Sequence, residues 1–372
     1  MKFKIYKNDI NEVLSKIQGI TGRKSNLAIT ENILIKTTDS GISISATDLE
    51  TGFEGFYPAE VSGEGIIAVN ASKFSDIIRN SPENEILIDE IEKQWVKISI
   101  KNVEYNIVGM NPEDFPDIPQ LTDIDFFEVD SDYLKKMIEK TILISASSDE
   151  KRAHILGVYL EIKDFENEKK LRMISTDGKR LSKVDYVFNK DINIPEIEKI
   201  IIPKKALNEV NKFLETTGSV QVGVKDNHFI IKKDNETIIV CLLEGNFPEY
   251  EDIISVGDDH VIEIDKNLFK MMLKRMSILS SDDYKGVIFK FRENNLTISA
   301  ANPNLGESKE DVDIIYNGNS IDISFNPQYF IETLNVINKE KVYINIKDEE
   351  NPCIVQGEGD KNFLSVIMPM KI

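Results

Sequence analysis

Two hydrophobic periodicities alternate along this chain in a fixed order, and the order recurs. Ile42, Ile44 and Ala46 face one way with Ser43 and Ser45 opposite. Val96, Ile98 and Ile100 alternate in the same manner with Lys97, Ser99 and Lys101. Such period-two patterning predicts antiparallel strands with one wet face. Interspersed are short runs with helical spacing, at Ile10–Leu14, Leu134–Ile138 and Phe269–Leu273. After each comes a strand that runs into a polar turn: Ile44-Ser45-Ala46-Thr47-Asp48, Ile174-Ser175-Thr176-Asp177 and Ile298-Ser299-Ala300-Ala301-Asn302. Asp and Asn suit that turn because their side chains bond nearby backbone. A second helix then opens on Asn, Pro or both, at Asn70-Ala71, Pro203-Lys204 and Asn326-Pro327, residues favoured at helix N-termini. Glu113-Asp114-Phe115-Pro116 and Gly245-Asn246-Phe247-Pro248 close the first two copies, while the third ends in Val366–Ile372.

Equivalent landmarks lie about 125–135 residues apart, which predicts three domains of similar size, 1–124, 125–252 and 253–372. Each would hold about eight strands and two helices, an α+β architecture of antiparallel sheets with the helices on one side. The helices are expected at 8–18, 71–80, 131–142, 204–216, 266–276 and 327–337. No stretch approaches the ~18 apolar residues of a membrane span, and the alternating Met1–Ile5 reads as a first strand, so the sequence predicts a cytoplasmic protein. Cys241, inside Ile238–Leu242, reads as a small buried hydrophobe.

A net charge of −19 taken alone argues against nucleic acid, where clustered Lys and Arg are needed. The charges are segregated, however. The six expected helices carry 13 Lys or Arg against 8 Asp or Glu, so the rest of the chain is strongly acidic. Lys135, Lys136 and Lys140 crowd one helix, Lys204, Lys205 and Lys212 another, and Lys266, Lys270, Lys274 and Arg275 a third. If the helices share one surface, that surface can hold phosphates loosely without reading bases. The alternative is that Lys is merely a good helix former. A phosphate loop, a dinucleotide fingerprint and a Cys/His metal spacing are all missing from the sequence. Neither an enzyme nor a cofactor is therefore expected.

A set of motifs spread over the whole length resembles the bacterial DNA polymerase III beta subunit family of sliding clamps. They are Ala46-Thr47-Asp48-Leu49-Glu50, Asp114-Phe115-Pro116, Thr176-Asp177-Gly178-Lys179-Arg180-Leu181, Asn246-Phe247-Pro248-Glu249-Tyr250, Ile278-Leu279-Ser280, Phe325-Asn326 and Met368-Pro369-Met370-Lys371-Ile372. The resemblance implies three repeated DNA-clamp domains forming half of a closed ring. Two chains would join head to tail, with twelve helices lining a hole for duplex DNA. It implies a non-catalytic processivity factor whose partners are double-stranded DNA, itself as a homodimer, a clamp loader and the replicative polymerase catalytic subunit. Translesion polymerases, mismatch repair proteins and ligase would be further partners, with no membrane involved.

Site residues follow from the same resemblance. DNA contact would fall on Arg23, Lys24, Lys151, Arg152, His154, Lys204 and Lys205, with Lys136, Lys140 and Lys274 added from helix position. A partner-peptide cleft would use Ile155, Thr176, Gly178, Lys179, Arg180, Leu181, Pro248, Ile253, Tyr284, Asn326, Tyr329, Val366, Met368, Pro369 and Met370. The dimer interface would use Lys73, Tyr105, Ile278 and Leu279, with the acidic stretch 307–311 across the seam. Ile278 and Leu279 read equally well as plain core, and Met368 and Met370 as the end of a domain core. This chain departs from the family at Asn26-Leu27-Ala28-Ile29, at Lys179 where His is frequent, and at Glu251-Asp252 where some relatives are basic. A protein-interaction scaffold that ignores DNA, or a diverged clamp paralogue, stays open on the sequence alone.

Overall fold

The computed structural model describes residues 1–21, 28–92, 94–144, 150–165, 168–188, 194–195, 197, 199–255, 260–280 and 286–370. The alternating segments become strands throughout. The first stretch holds β1 (Lys2–Tyr6), β2 (Asn32–Thr38), β3 (Gly41–Thr47), β4 (Thr51–Pro58), β5 (Glu60–Gly63), β6 (Ile66–Asn70), β7 (Glu85–Glu92), β8 (Trp95–Ile100) and β9 (Val103–Val108). The second holds β10 (Phe127–Asp130), β11 (Gly157–Phe165), β12 (Glu168–Thr176), β13 (Arg180–Val187), β14 (Ile200–Pro203), β15 (Ser219–Lys225), β16 (His228–Lys233) and β17 (Glu236–Cys241). The third holds β18 (His260–Asp265), β19 (Val287–Arg292), β20 (Asn295–Asn302), β21 (Gly306–Asp313), β22 (Ile321–Phe325), β23 (Lys341–Ile346), β24 (Cys353–Gly357) and β25 (Phe363–Ile367).

The helices fall close to their expected places. They are α1 (Lys7–Thr21), α2 (Ala71–Arg79), α3 (Ser131–Ile142), a single turn α4 (Ala153–Leu156), α5 (Lys204–Phe213), α6 (Lys266–Ser277) and α7 (Pro327–Val336). Asn70 and Asn326 cap α2 and α7 by accepting from the backbone N–H of Lys73 (3.0 Å) and Gln328 (3.0 Å). Side-chain caps of this kind satisfy donors that the helix itself leaves unpaired. Pro203 opens α5 without one.

Strand pairing fuses successive stretches into common sheets. One eight-stranded sheet runs β10-β15-β16-β17-β4-β3-β2-β6, and another runs β14-β11-β12-β13-β25-β24-β23-β18. The joints are antiparallel ladders: β17 on β4, with Ile239 opposite Gly52, and β25 on β13, with Val366 opposite Leu181. Two smaller sheets, β5-β1-β7-β8-β9 and β21-β20-β19-β22, end on the open edges β9 and β21. The chain consequently resolves into two compact units. One is Met1–Lys135, Ile192–Ile197 and Ile202–Leu242; the other is Lys136–Asp191, Glu198–Ile201 and Leu243–Ile372. The middle stretch of the sequence is thus divided between the two units.

The three polar turns share a geometry. Asp48 accepts from the N–H groups of Glu50 (3.1 Å) and Thr51 (2.8 Å), and Asp177 from those of Lys179 (2.9 Å) and Arg180 (3.0 Å). Asn302 accepts from Asn304 (3.0 Å). Leu49 and Gly178, each one residue after the Asp, both take positive φ, of 77° and 83°. Glycine bears that conformation without strain, whereas leucine does not.

A second device also recurs. The Lys7 ammonium donates to the carbonyls of Arg79 (2.9 Å) and Ser81 (2.8 Å), closing the end of α2. Lys135 donates to Asn211 (2.6 Å) and Leu214 (3.1 Å) at the end of α5, and Lys266 to Ile337 (2.9 Å) at the end of α7. In each copy a lysine at or near the start of one helix caps the C-terminus of its neighbour, where a cation complements the helix dipole. Lys7→Met should lower unfolding free energy by about 1 kcal/mol, read as a reduced denaturant midpoint at unchanged m-value.

The cysteines reverse the sequence expectation in part. Cys241 is half-buried, its Sγ 3.8 Å from the Leu49 carbonyl, because β17 ends there. Cys353 is the deeply buried one, and burial pushes its thiol well up.

Candidate functional site

Within the second compact unit a cavity of about 170 Å³ opens where β13 meets β25. Its floor is apolar. Ile155 on α4, Leu181 on β13 and Val366 on β25 are almost fully buried. Its walls are Thr176, Gly178, Arg180, Pro248, Ile253 and Met368, all expected from the sequence. Ile253 and Met368 keep 41% and 37% of their surface exposed, which leaves apolar area available to a ligand. An open groove of about 470 Å³, of mixed polar and apolar lining, adjoins the cavity and shares Ile253 and Met368 with it.

The turn before β13 shapes one lip. Thr176 Oγ1 donates to the Arg180 carbonyl (2.8 Å) and accepts from the Gly178 N–H (3.0 Å). Lys179 stands exposed on that turn, and its carbonyl accepts from the Met368 N–H (2.9 Å). Two residues on, the Met370 N–H donates to the Ser324 carbonyl (2.7 Å). The chain end is thereby stitched to β13 on one side and β22 on the other, so Met368, Pro369 and Met370 form a fixed apolar edge. Arg180 is buried. It bonds Asp177 (3.0 Å) and Glu332, and lies 4.3 Å over the ring of Tyr329. Tyr329 and Asn326, at the start of α7, are placed beside the lip through this contact. Tyr284 lies outside the described residues.

Five lining residues were not assigned to the cleft from sequence: Arg152, His154, Phe247, Glu249 and Tyr250. The motif Asn246-Phe247-Pro248-Glu249-Tyr250 carried the signal for three of them. Arg152 and His154, expected on DNA, also line this cavity. The Arg152 guanidinium is held bidentately by Glu150 (2.9 and 2.8 Å), and that pairing draws the Glu150 carboxyl down to about 2. The His154 ring packs edge-on against Phe247, centroids 6.4 Å apart.

The other expected DNA residues separate. Lys204 is only 8% exposed, where β14 turns into α5. Lys205 is half-exposed and rests between Asp48 (3.3 Å) and Glu50 (3.1 Å). Lys151 is exposed, and Arg23 and Lys24 lie outside the described residues. Several helix lysines have structural partners. Besides the three caps, Lys140 pairs with Asp360 (3.4 Å) over the Phe363 ring, and Lys212 with Glu209 (2.9 Å). Part of the helix charge read from the sequence is therefore used inside the fold. Lys136 and Lys274 are exposed.

At the expected seam, Lys73 on α2 and Tyr105 on β9 are exposed. Ile278 is 73% exposed just past α6, which removes the core alternative for it, while Leu279 is half-buried. Arg275 on α6 bonds Glu310 on β21 (2.8 Å), placing Ile278 beside that open edge. Among the described residues no group of His, Cys, Asp and Glu could hold a metal ion.

Fused antiparallel sheets in a repeating order carry a cavity with an apolar floor and partly exposed apolar walls, a surface suited to receiving another molecule. Comparison with known proteins makes the class specific. Family models of the DNA polymerase III beta subunit match in succession: the N-terminal domain over residues 1–119, the central domain over 128–249 and the C-terminal domain over 252–371. The beta sliding clamp of Pseudomonas aeruginosa is 28% identical over the full length of both chains. A crystal structure of a DNA polymerase III beta subunit from Eubacterium rectale superposes with a TM-score of 0.92 at 28% identity, covering both chains completely. So does a Pseudomonas aeruginosa sliding clamp bound to griselimycin, with a TM-score of 0.92 at 26% identity and full coverage of both chains. The chain belongs to the DNA polymerase III beta subunit family, the sliding clamps, and its role is that of a non-catalytic processivity factor.

Proposed function

We propose that two copies of this chain close head to tail into a ring around duplex DNA and hold a polymerase there through the cleft. The carrying observation is the repeated sheet joint. β4 joins β17 and β13 joins β25 within the chain, while β9 and β21 remain open edges. A long unpaired edge is a template for strand addition, and the third joint would form between copies. Its register follows from the internal ones. Gly52, Leu181 and Glu307 are the residues paired with the last position before each turn, Thr47, Thr176 and Ala301. Gly52 faces Ile239 and Leu181 faces Val366, and Ile107 stands eight residues before Phe115 as Ile239 does before Phe247. Glu307 would accordingly face Ile107 of the other copy, and Lys309 would face Tyr105. Such heterologous contacts close into a ring when the rotation allows.

On this reading the chain comprises three clamp domains, 1–124, 125–252 and 253–372, and works in the cytoplasm. Lys151 and Lys205 contact phosphates, and Lys205 does so in competition with Asp48 and Glu50. Contacts this weak let the duplex slide, since affinity scales with phosphates neutralised. The cleft takes short apolar segments of the clamp loader, the replicative polymerase catalytic subunit, translesion polymerases, mismatch repair proteins and ligase, and also takes griselimycin.

Retention on DNA tests the ring. Loaded onto a nicked circle by a clamp loader with ATP, the protein should co-elute with the DNA in high salt, where phosphate contacts alone fail. One double-strand cut should release it. Equal retention before and after the cut would favour a scaffold that binds without enclosure.

A further inference from the structure

Behind the cleft, in the same compact unit, lies a network of buried polar side chains, of which Tyr250 also lines the cavity. Arg172 grips Asp185 with two bonds (2.7 and 2.9 Å), and Lys183 holds the same carboxylate (2.6 Å). The Arg172 guanidinium also donates to the Tyr250 hydroxyl (3.4 Å), which in turn donates to Glu161. Tyr159 donates to the other Glu161 oxygen (3.2 Å). All six residues are more than nine-tenths buried. Two cations and two carboxylates balance, so the cluster is neutral and satisfied, as buried charge must be. Above it, Lys163 lies 5.6 Å over the Tyr250 ring and pairs with Glu251 (2.7 Å).

Tyr250 is the one member of the buried cluster on an irregular segment. Residues 244–255 contain neither strand nor helix, and they supply Phe247, Pro248, Glu249, Tyr250 and Ile253 to the cleft. Among the described residues, the backbone hydrogen bonds within this stretch are local. Ile253 and Ile254 donate to the Tyr250 carbonyl (3.0 and 3.2 Å), and the bond to the sheet comes just before, from Leu243 to Ile201 (2.9 Å). Side chains must therefore hold the segment in place. The Phe247 ring stacks on Tyr159 at 4.8 Å, and the Tyr250 ring meets both edge-on. A loop fixed by few contacts is set by its anchors.

We propose that Tyr250 is a positioning residue for the cleft: its hydroxyl, clamped between Arg172 and Glu161, fixes the wall formed by residues 247–253 in the shape that receives an apolar ligand. This rests on the cleft reading above and adds that ligand affinity is controlled by a hydroxyl bonded into the buried cluster behind the cavity wall. Tyr159 supplies the contrast. Its hydroxyl bonds the same carboxylate, but its ring is carried by β11 in ladder with β12, opposite Ile174. Removing that hydroxyl leaves the wall where it is.

The test is griselimycin binding by titration calorimetry to the full chain and to Tyr250→Phe, Tyr159→Phe and Lys163→Ala, with a denaturation curve for each. Both tyrosine variants should lose stability, Tyr250→Phe somewhat more, since its hydroxyl bonds Arg172 as well as Glu161 while that of Tyr159 bonds Glu161 alone. Only Tyr250→Phe should weaken binding strongly, about tenfold. Lys163→Ala changes a partly exposed residue and should weaken binding about threefold at unchanged stability; it decides alone if Tyr250→Phe does not fold. Equal affinities in wild type, Tyr250→Phe and Lys163→Ala would overturn the proposal, as would equal losses in the two tyrosine variants. Absence of griselimycin binding to the wild type would overturn the cleft reading and this proposal together.

Discussion

Truncation after Ile367 should weaken binding of griselimycin or an apolar partner peptide by about 100-fold, while the protein stays folded. The deletion removes Met368, which walls the cavity and also lines the adjoining groove. It also removes Met370 and both stitches, to the carbonyls of Lys179 and Ser324. Each apolar side chain lost from a ligand contact costs about 1.5 kcal/mol or more, and two of them together reach the roughly 2.8 kcal/mol that corresponds to a hundredfold. The core tolerates the change, since β25 ends at Ile367 and its ladder to β13 is untouched. Calorimetry gives the affinity and a melting curve the fold. Affinity within threefold of the wild type would show that the chain end is not part of the binding surface.

Ile278→Asp should raise the dimer dissociation constant by two orders of magnitude or more, with no loss of monomer stability. In the single chain Ile278 is largely in water, so the substitution removes little burial. In the proposed seam it would place a carboxylate beside the acidic edge strand, which carries Glu307, Glu310, Asp311 and Asp313. Burying an unpaired charge there costs several kcal/mol, of which about 3 suffices for the stated effect. Sedimentation equilibrium measures it, and an unchanged mass distribution would place the seam elsewhere. The register can be read independently. In the double variant Asn106→Cys, Ser308→Cys the two thiols should face each other across copies and oxidise to a covalent dimer.

Much of the fold was legible because its signals are local and periodic. The strands followed from alternation at positions such as Ile42–Ala46, and six helices fell within a few residues of where N-caps and apolar spacing placed them. The polar turns were legible too, since Asp48, Asp177 and Asn302 bond the backbone just ahead of them. Which strands share a sheet was not. Nothing local in Gly52 or Ile239 says that they face each other across 187 residues of sequence, and so the division of the middle stretch between two units was invisible. Charge was the least legible property. Composition gave the lysines of the helices, but whether a lysine meets solvent, a helix end or a carboxylate depends on its neighbours in space. Lys135, Lys204 and Lys266 were indistinguishable in the sequence from lysines free to meet a phosphate. The motif-borne residues expected in the cleft gather around one cavity, and Arg152 and His154, expected on DNA from the family resemblance, line it too, a neighbourhood that no local pattern in the sequence announces.

The shared sheets constrain how such a protein can change. Excising the stretch 125–252 would sever the ladders at β17–β4 and β13–β25, leaving raw sheet borders on every fragment. A repeat here is not an interchangeable cassette. Taking one copy away, as a bead is taken from a string, would strip a neighbour's sheet of the strand it pairs with.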